Sequence, residues 1–398
     1  SGELVTFFKV KDASLLHIVM IIYIFTIPFN AITQVAAHAT QGFKLLKYKI
    51  MTTQLLNPTV LLLSMLLFLF FSDKSAIIIP MAITGITGCF VMIYLLKNIS
   101  GIQLQKIIVT PFDNNLFNFS FPLMFVAILQ TFMHFQDILM LGYLVDEAET
   151  VVGLYHPAAR TAGLFQILII SFLSIYAPMM SQLHAKGDFK EMSHLYKLVS
   201  RWLITSSIPI MLIFIIYPAK IMLLFGENYL PSQDILVMLS IGMFIQTTLC
   251  AAGPALSMSG HTRIVLWNSL SACVLNFILN MILIPKYAGM GAAWATFISL
   301  TVLGLVRVIE VRFILNLSIF SIKLIKPLLA ACITGYCIIS MRPYVMNYHT
   351  LVTLLLVFLM VIIIYGLSLW LLKFEPEDKD FLSGLNILGK SLKNDNGN

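Results

Sequence analysis

Charge is what this sequence has least of. Only 11% of its 398 residues are Asp, Glu, Lys or Arg, against about 25% in ordinary soluble domains, and that scarcity excludes a soluble enzyme. A folded globule must still cover its surface with polar groups, so a mean hydropathy of +0.92 over the whole length requires lipid as the solvent. Cysteine is scarce too. The five, Cys89, Cys250, Cys273, Cys332 and Cys337, all sit in apolar stretches without a CxxC pair or a histidine at ligand spacing, which points to packing and to no metal or cofactor site. The excess of basic residues, 25 Lys and Arg against 18 Asp and Glu, lies in short gaps between apolar runs. It reads as membrane topology, with no nucleic-acid partner. No gap exceeds about 25 residues, leaving no room for a sizeable extramembrane domain.

What is present is a succession of apolar runs, each near the roughly 20 residues that span a bilayer as a helix. Eleven are expected, at 15–39, 51–71, 76–96, 119–144, 151–180, 202–224, 235–258, 264–284, 288–313, 325–341 and 350–372. The fold class is therefore all-α, a polytopic transmembrane helix bundle. Sorting the basic residues by alternate gaps puts 18 of the 25 on one side and six on the other, with Arg160 inside a span. By the positive-inside rule the larger set, and the tail from 374 to 398 with it, is cytoplasmic.

A repeat relates the first and seventh spans. Gly42 and Asn57 recur as Gly260 and Asn276, each pair marking a helix, a basic turn and an Asn-bearing helix at an offset of about 218 residues. Two pseudo-symmetric lobes follow: a partial first lobe at 1–112, a second six-helix lobe at 113–313, then a terminal helix pair at 314–373 and the tail. Measured against the second lobe, the first is about 106 residues, or three spans, short, so the expectation is an N-terminally truncated chain whose intact form has about fourteen helices.

Within the spans, Asp137 is the most informative residue, because a carboxylate in an apolar helix is costly enough to mark a functional site. It lies eight residues before Val145, roughly 12 Å from the outer boundary, and Arg160 lies nine after Val151, roughly 13 Å deep on the next antiparallel span. Equal depth predicts an Asp137–Arg160 ion pair, which either serves a substrate or locks two helices together. His134 and Gln130 share a helix face with Asp137. Asn30, Gln34 and His38 follow helical spacing on the first span, as Asn276 and Asn280 do on the eighth. Such stripes line a cavity or glue membrane helices, and the sequence leaves both readings open. Gly289, Gly291, Ala292 and Ala293 predict close helix approach.

The runs Asp137 to Gly142, Val152 to Arg160, Leu224 to Tyr229, Gly260 to Arg263 and Ile284 to Thr296 together resemble the polysaccharide-transporter family of the multidrug/oligosaccharidyl-lipid/polysaccharide flippase superfamily, the Wzx-like O-antigen and teichoic-acid exporters. The resemblance implies a plasma-membrane protein moving a polyprenyl-pyrophosphate-linked oligosaccharide from the cytoplasmic to the outer leaflet by alternating access. It also implies a pyrophosphate contact for Arg160, which stands in a Tyr-x-x-Ala-x-Arg context like that of the lipid II flippases. H+ or Na+ is the implied coupling ion, and polysaccharide polymerase machinery an implied contact. Two rivals remain. A cation-coupled multidrug antiporter shares the architecture; a membrane polymerase or ligase needs a large outer loop bearing acid and base residues, and the longest outer gap offers only Glu227 and Asp234.

Overall fold

In lipid every backbone N–H and C=O must find its partner within its own segment, so the apolar runs form helices. The computed structural model describes residues 13–42, 45–70, 73–100, 114–319, 322–345 and 348–372, and every regular element among them is helical. The tail expected beyond 373 and the polar residues 1–12 lie outside the described residues. The chain forms two compact units, Ser1–Asp113 and Asn114–Asn398.

In the first unit α1 (Ala13–Gly42) leads to α2 (Leu46–Ile50), a π-helical stretch (Met51–Leu56), α3 (Asn57–Leu69) and α4 (Asp73–Ser100). Both α1 and α3 pack along α4. Glycine permits the second of these contacts, since a Cβ at Gly88 would lie 2.7 Å from Asn57 Oδ1. The core is small, built on Ala36, Ala37 and Met92. Large apolar side chains such as Ile24, Val35 and Leu67 are exposed, as lipid-facing residues must be.

The second unit runs through α5 (Asn114–Leu144), α6 (Ala148–Ala162), α7 (Phe165–Ala185), α8 (Phe189–Ile216), the short α9 (Pro218–Met222), α10 (Gln233–Leu249), α11 (Ala252–Met258), α12 (Thr262–Ile314), α13 (Ile325–Val345) and α14 (Thr350–Leu371). Helix α8 does not follow the expected 202–224. It starts lower, where the Asp188 side chain caps it by accepting from the Glu191 backbone N–H at 3.1 Å, and it ends at Tyr217 (φ −125°). The cause of that ending is Pro218, which disfavours helical geometry in the residue before it. The pair α13 and α14 packs together and against α8.

At 53 residues, α12 would be about 80 Å long if straight, more than twice a bilayer's hydrocarbon thickness. It is instead two antiparallel arms. The chain reverses at Ala288, whose φ is 47°, and residues far apart in sequence meet across the arms: Asn276 with Thr296, Ser269 with Arg307, Asn268 with Glu310. Among the described residues the ten long apolar helical stretches thus make eleven crossings, the two arms matching the expected spans 264–284 and 288–313. Gly291 is required by the reversal, because a Cβ there would lie 2.3 Å from the Leu283 carbonyl oxygen. Gly291→Ala is expected to cost about 1–3 kcal/mol through overpacking against backbone. A lowered melting temperature of the purified protein, beside an unaffected Gly153→Ala control where the added carbon meets nothing within 4 Å, is the measurement.

Candidate functional site

Helices in lipid turn their few polar side chains inward, and in the second unit these side chains surround a cavity of about 390 Å³. Helices α5, α6, α7, α10, α11 and both arms of α12 line it. Its charged lining residues are three: Asp137, Arg160 and Arg307. Gln130 and His134 stand on the α5 face that carries Asp137, and all three reach the cavity.

Asp137 is buried, 5% exposed, and its carboxylate is saturated by neutral donors. Oδ2 accepts from the Tyr155 hydroxyl at 2.7 Å and from the Thr296 hydroxyl at 2.5 Å. Oδ1 accepts from Asn280 Nδ2 at 2.8 Å. That same amide nitrogen also reaches Asn276 Oδ1 at 3.2 Å, and the Asn276 amide donates to Thr296 at 3.4 Å. Helices α5, α6 and both arms of α12 are therefore tied together through one carboxylate. The Asn280 side-chain oxygen is buried without a hydrogen-bond partner.

The expected Asp137–Arg160 ion pair is absent; among the described residues no ion pair involves either side chain. The reason is register. Helix α6 begins at Ala148, three residues before the expected start, so Tyr155 stands level with Asp137 and takes the hydrogen bond. Arg160, five residues further on, lies about 7–8 Å deeper along the helix. It occupies the last turn of α6, where the carbonyl end of the helix dipole favours a cation. The break at Gly163–Leu164 separates α6, which carries Pro157 within it, from α7, placing a broken helix at the cavity wall. Arg160 and His156 are both exposed and both line the cavity.

Of the two polar stripes, the one on α12 does not face the cavity. Asn276 and Asn280 are 1% and 0% exposed and hold Asp137 from behind. On α1, Asn30, Gln34 and His38 are exposed on the first unit, with His38 Nδ1 3.4 Å from the Lys49 ammonium; the threonines Thr26, Thr33 and Thr40 occupy the buried face. Sequence reasoning missed Tyr155, Thr296 and Arg307. A hydroxyl in a membrane helix gives little signal, since it commonly bonds its own backbone. Arg307 did carry one, a cation within an expected span, but reads there as a topological charge near the cytoplasmic boundary.

The chain has recognisable relatives. The family described as "Polysaccharide biosynthesis protein" matches residues 3–184, and MatE matches residues 122–282. Over 192 residues the chain is 24% identical to the probable low-salt glycan biosynthesis flippase Agl15 of Haloferax volcanii, a match taking in 47% of this chain and 40% of that protein. This chain thus spans less than half the length of that relative. Its fold is similar to that of the lipid II flippase MurJ in an inward closed conformation, with a TM-score of 0.61 and 17% identity over 88% of this chain and 72% of that one.

Proposed function

We propose that the chain is a polysaccharide flippase of the MATE superfamily, the reading that its family matches and its glycan-flippase relative support, and that it moves a polyprenyl-pyrophosphate-linked oligosaccharide from the cytoplasmic to the outer leaflet by alternating access. The observation that carries this reading is the cavity's charge: two guanidinium groups and one carboxylate line it, and the carboxylate is consumed by protein donors. A cationic cavity with polar side chains set in a largely apolar lining suits an anionic headgroup with sugars attached, because pyrophosphate and hydroxyls crossing hydrocarbon unaided cost several kcal/mol per unpaired polar group. Arg160 is the pyrophosphate contact in this reading, with Gln130 and His134 offering hydrogen bonds beside it; on the first unit taken by itself, Asn30, Gln34 and His38 form an exposed stripe whose chemistry suits sugar hydroxyls. The prenyl tail stays in lipid.

Asp137 is the coupling carboxylate of the proposal. Its shell of hydroxyl and amide oxygens, with the unpartnered Asn280 oxygen among them, offers hard neutral donors of the kind Na+ takes, and a carboxylate equally exchanges H+. The plasma membrane is the proposed location, and a polysaccharide polymerase a proposed neighbour.

The test is flipping of a fluorescent polyprenyl-pyrophosphate-linked oligosaccharide in proteoliposomes, read as loss of signal to an impermeant quencher or lectin. Movement above the protein-free rate supports the proposal. The MatE match over residues 122–282 favours an antiporter as the second reading. Gradient-driven export of a cationic dye, with no movement of the lipid-linked glycan, establishes that reading instead.

A further inference from the structure

Arg307 contributes to the cavity's charge in the function proposed above but has no contact of its own there. It sits in the second arm of α12, eleven residues past Thr296. Its Nη2 donates to Ser269 Oγ at 2.9 Å, and its Nε is buried without a hydrogen-bond partner. Glu310, one turn further along the same arm, is engaged by the Asn268 amide, and among the described residues no ion pair neutralises Arg307. Gly253 of α11 lies beside the side chain, where a Cβ would be in ordinary contact with Arg307 Nη1 at 3.4 Å. A half-buried guanidinium held by one hydroxyl and facing a cavity, which the Glu310 carboxylate on the same arm attracts without forming an ion pair, is costly unless a further anion completes it.

Position says which anion. Asp137, Tyr155 and Thr296 mark one level of the cavity. From it Arg160 lies about 7–8 Å and Arg307 about 16 Å along their helices, both toward the end that the charge rule makes cytoplasmic. The two cations therefore stand about 9 Å apart in depth, Arg307 nearer the side on which the substrate is made. We infer that Arg307, steadied by Ser269, is a second phosphate-binding station, which receives the pyrophosphate of the lipid-linked oligosaccharide before Arg160 does. This rests on the flippase reading and adds to it a path.

The experiment titrates inorganic pyrophosphate into the purified protein in phosphatidylcholine nanodiscs and reads binding by calorimetry and the shift in melting temperature. Losing a charge-assisted pair, Arg307→Gln is expected to weaken pyrophosphate binding about 10- to 100-fold. Arg307→Lys, which keeps charge without the planar fork, is expected to weaken it less, and it serves as the folded variant should Arg307→Gln not assemble. A lower melting temperature in Arg307→Gln with unchanged pyrophosphate affinity means the arginine only ties helices together, and overturns the inference. If Arg160→Gln loses affinity while Arg307→Gln and Arg307→Lys do not, the second station fails and the flippase reading stands. If neither arginine matters, the phosphate-binding reading beneath it fails as well. Replacing part of the lipid by phosphatidylglycerol separates the two sources of phosphate: loss of pyrophosphate binding in that bilayer assigns Arg307 to a phospholipid headgroup and overturns its assignment to substrate.

Discussion

Arg160→Ala is expected to reduce lipid-linked oligosaccharide flipping about 100-fold or more, the loss of two charge-assisted hydrogen bonds to pyrophosphate, without changing the melting temperature. The second half of that statement comes from the structure. Had Arg160 been the counter-ion of Asp137, removing it would strand a buried carboxylate and unfold the protein in the same stroke, since breaking a buried pair costs about 3–5 kcal/mol. Asp137 instead draws its hydrogen bonds from Tyr155, Thr296 and Asn280, and none of them changes when Arg160 is shortened. Arg160→Lys should keep part of the activity, because lysine supplies the charge but not the bidentate geometry. Stability changes in the double variant Asp137→Asn with Arg160→Ala should add, as they do for sites without shared partners. The decisive measurement is flipping in proteoliposomes beside thermal unfolding of the same preparations. Wild-type flipping by Arg160→Ala would place the pyrophosphate contact elsewhere.

Asp137 is expected to separate folding from coupling. In Asp137→Asn the side chain keeps its shape, and rotating the Asn280 amide by half a turn presents its unpartnered oxygen to the new NH2 group. That variant should therefore fold normally. Asp137→Ala leaves the Tyr155 hydroxyl, the Thr296 hydroxyl and the Asn280 amide without their acceptor; at roughly 0.6–1.7 kcal/mol for each hydrogen bond within a membrane protein, the loss is about 2–5 kcal/mol. Both substitutions remove the one carboxylate in the cavity lining, and both should abolish the response of flipping to an imposed gradient. For one coupled charge, 100 mV is worth about 2.3 kcal/mol, so the wild-type distribution across the leaflets should shift by up to about 50-fold and that of Asp137→Asn not at all. A full response in Asp137→Asn would remove the carboxylate from the coupling scheme and leave it as a tie between helices.

The amino-acid sequence by itself determined that this is an all-helical membrane protein and roughly where its helices lie, because transfer from water to lipid is decided segment by segment and about 20 apolar residues leave the backbone no other solution. It likewise marked Asp137 and Arg160, since a charge within an apolar run is legible without knowing what surrounds it. It gave no means of pairing them. Partnership inside a bundle depends on where each helix starts and how it rotates, and a three-residue difference at the start of α6 turned the expected ion pair into a Tyr155–Asp137 hydrogen bond with Arg160 about half a bilayer leaflet deeper. Tertiary structure alone decided that Asn276 and Asn280 turn inward to Asp137, because a polar stripe on a helix looks the same in sequence whether it meets substrate or another helix. It alone brought Arg307 to Ser269, 38 residues away in the chain, since the reversal at Ala288 that joins them depends on a backbone conformation that no local propensity of alanine favours.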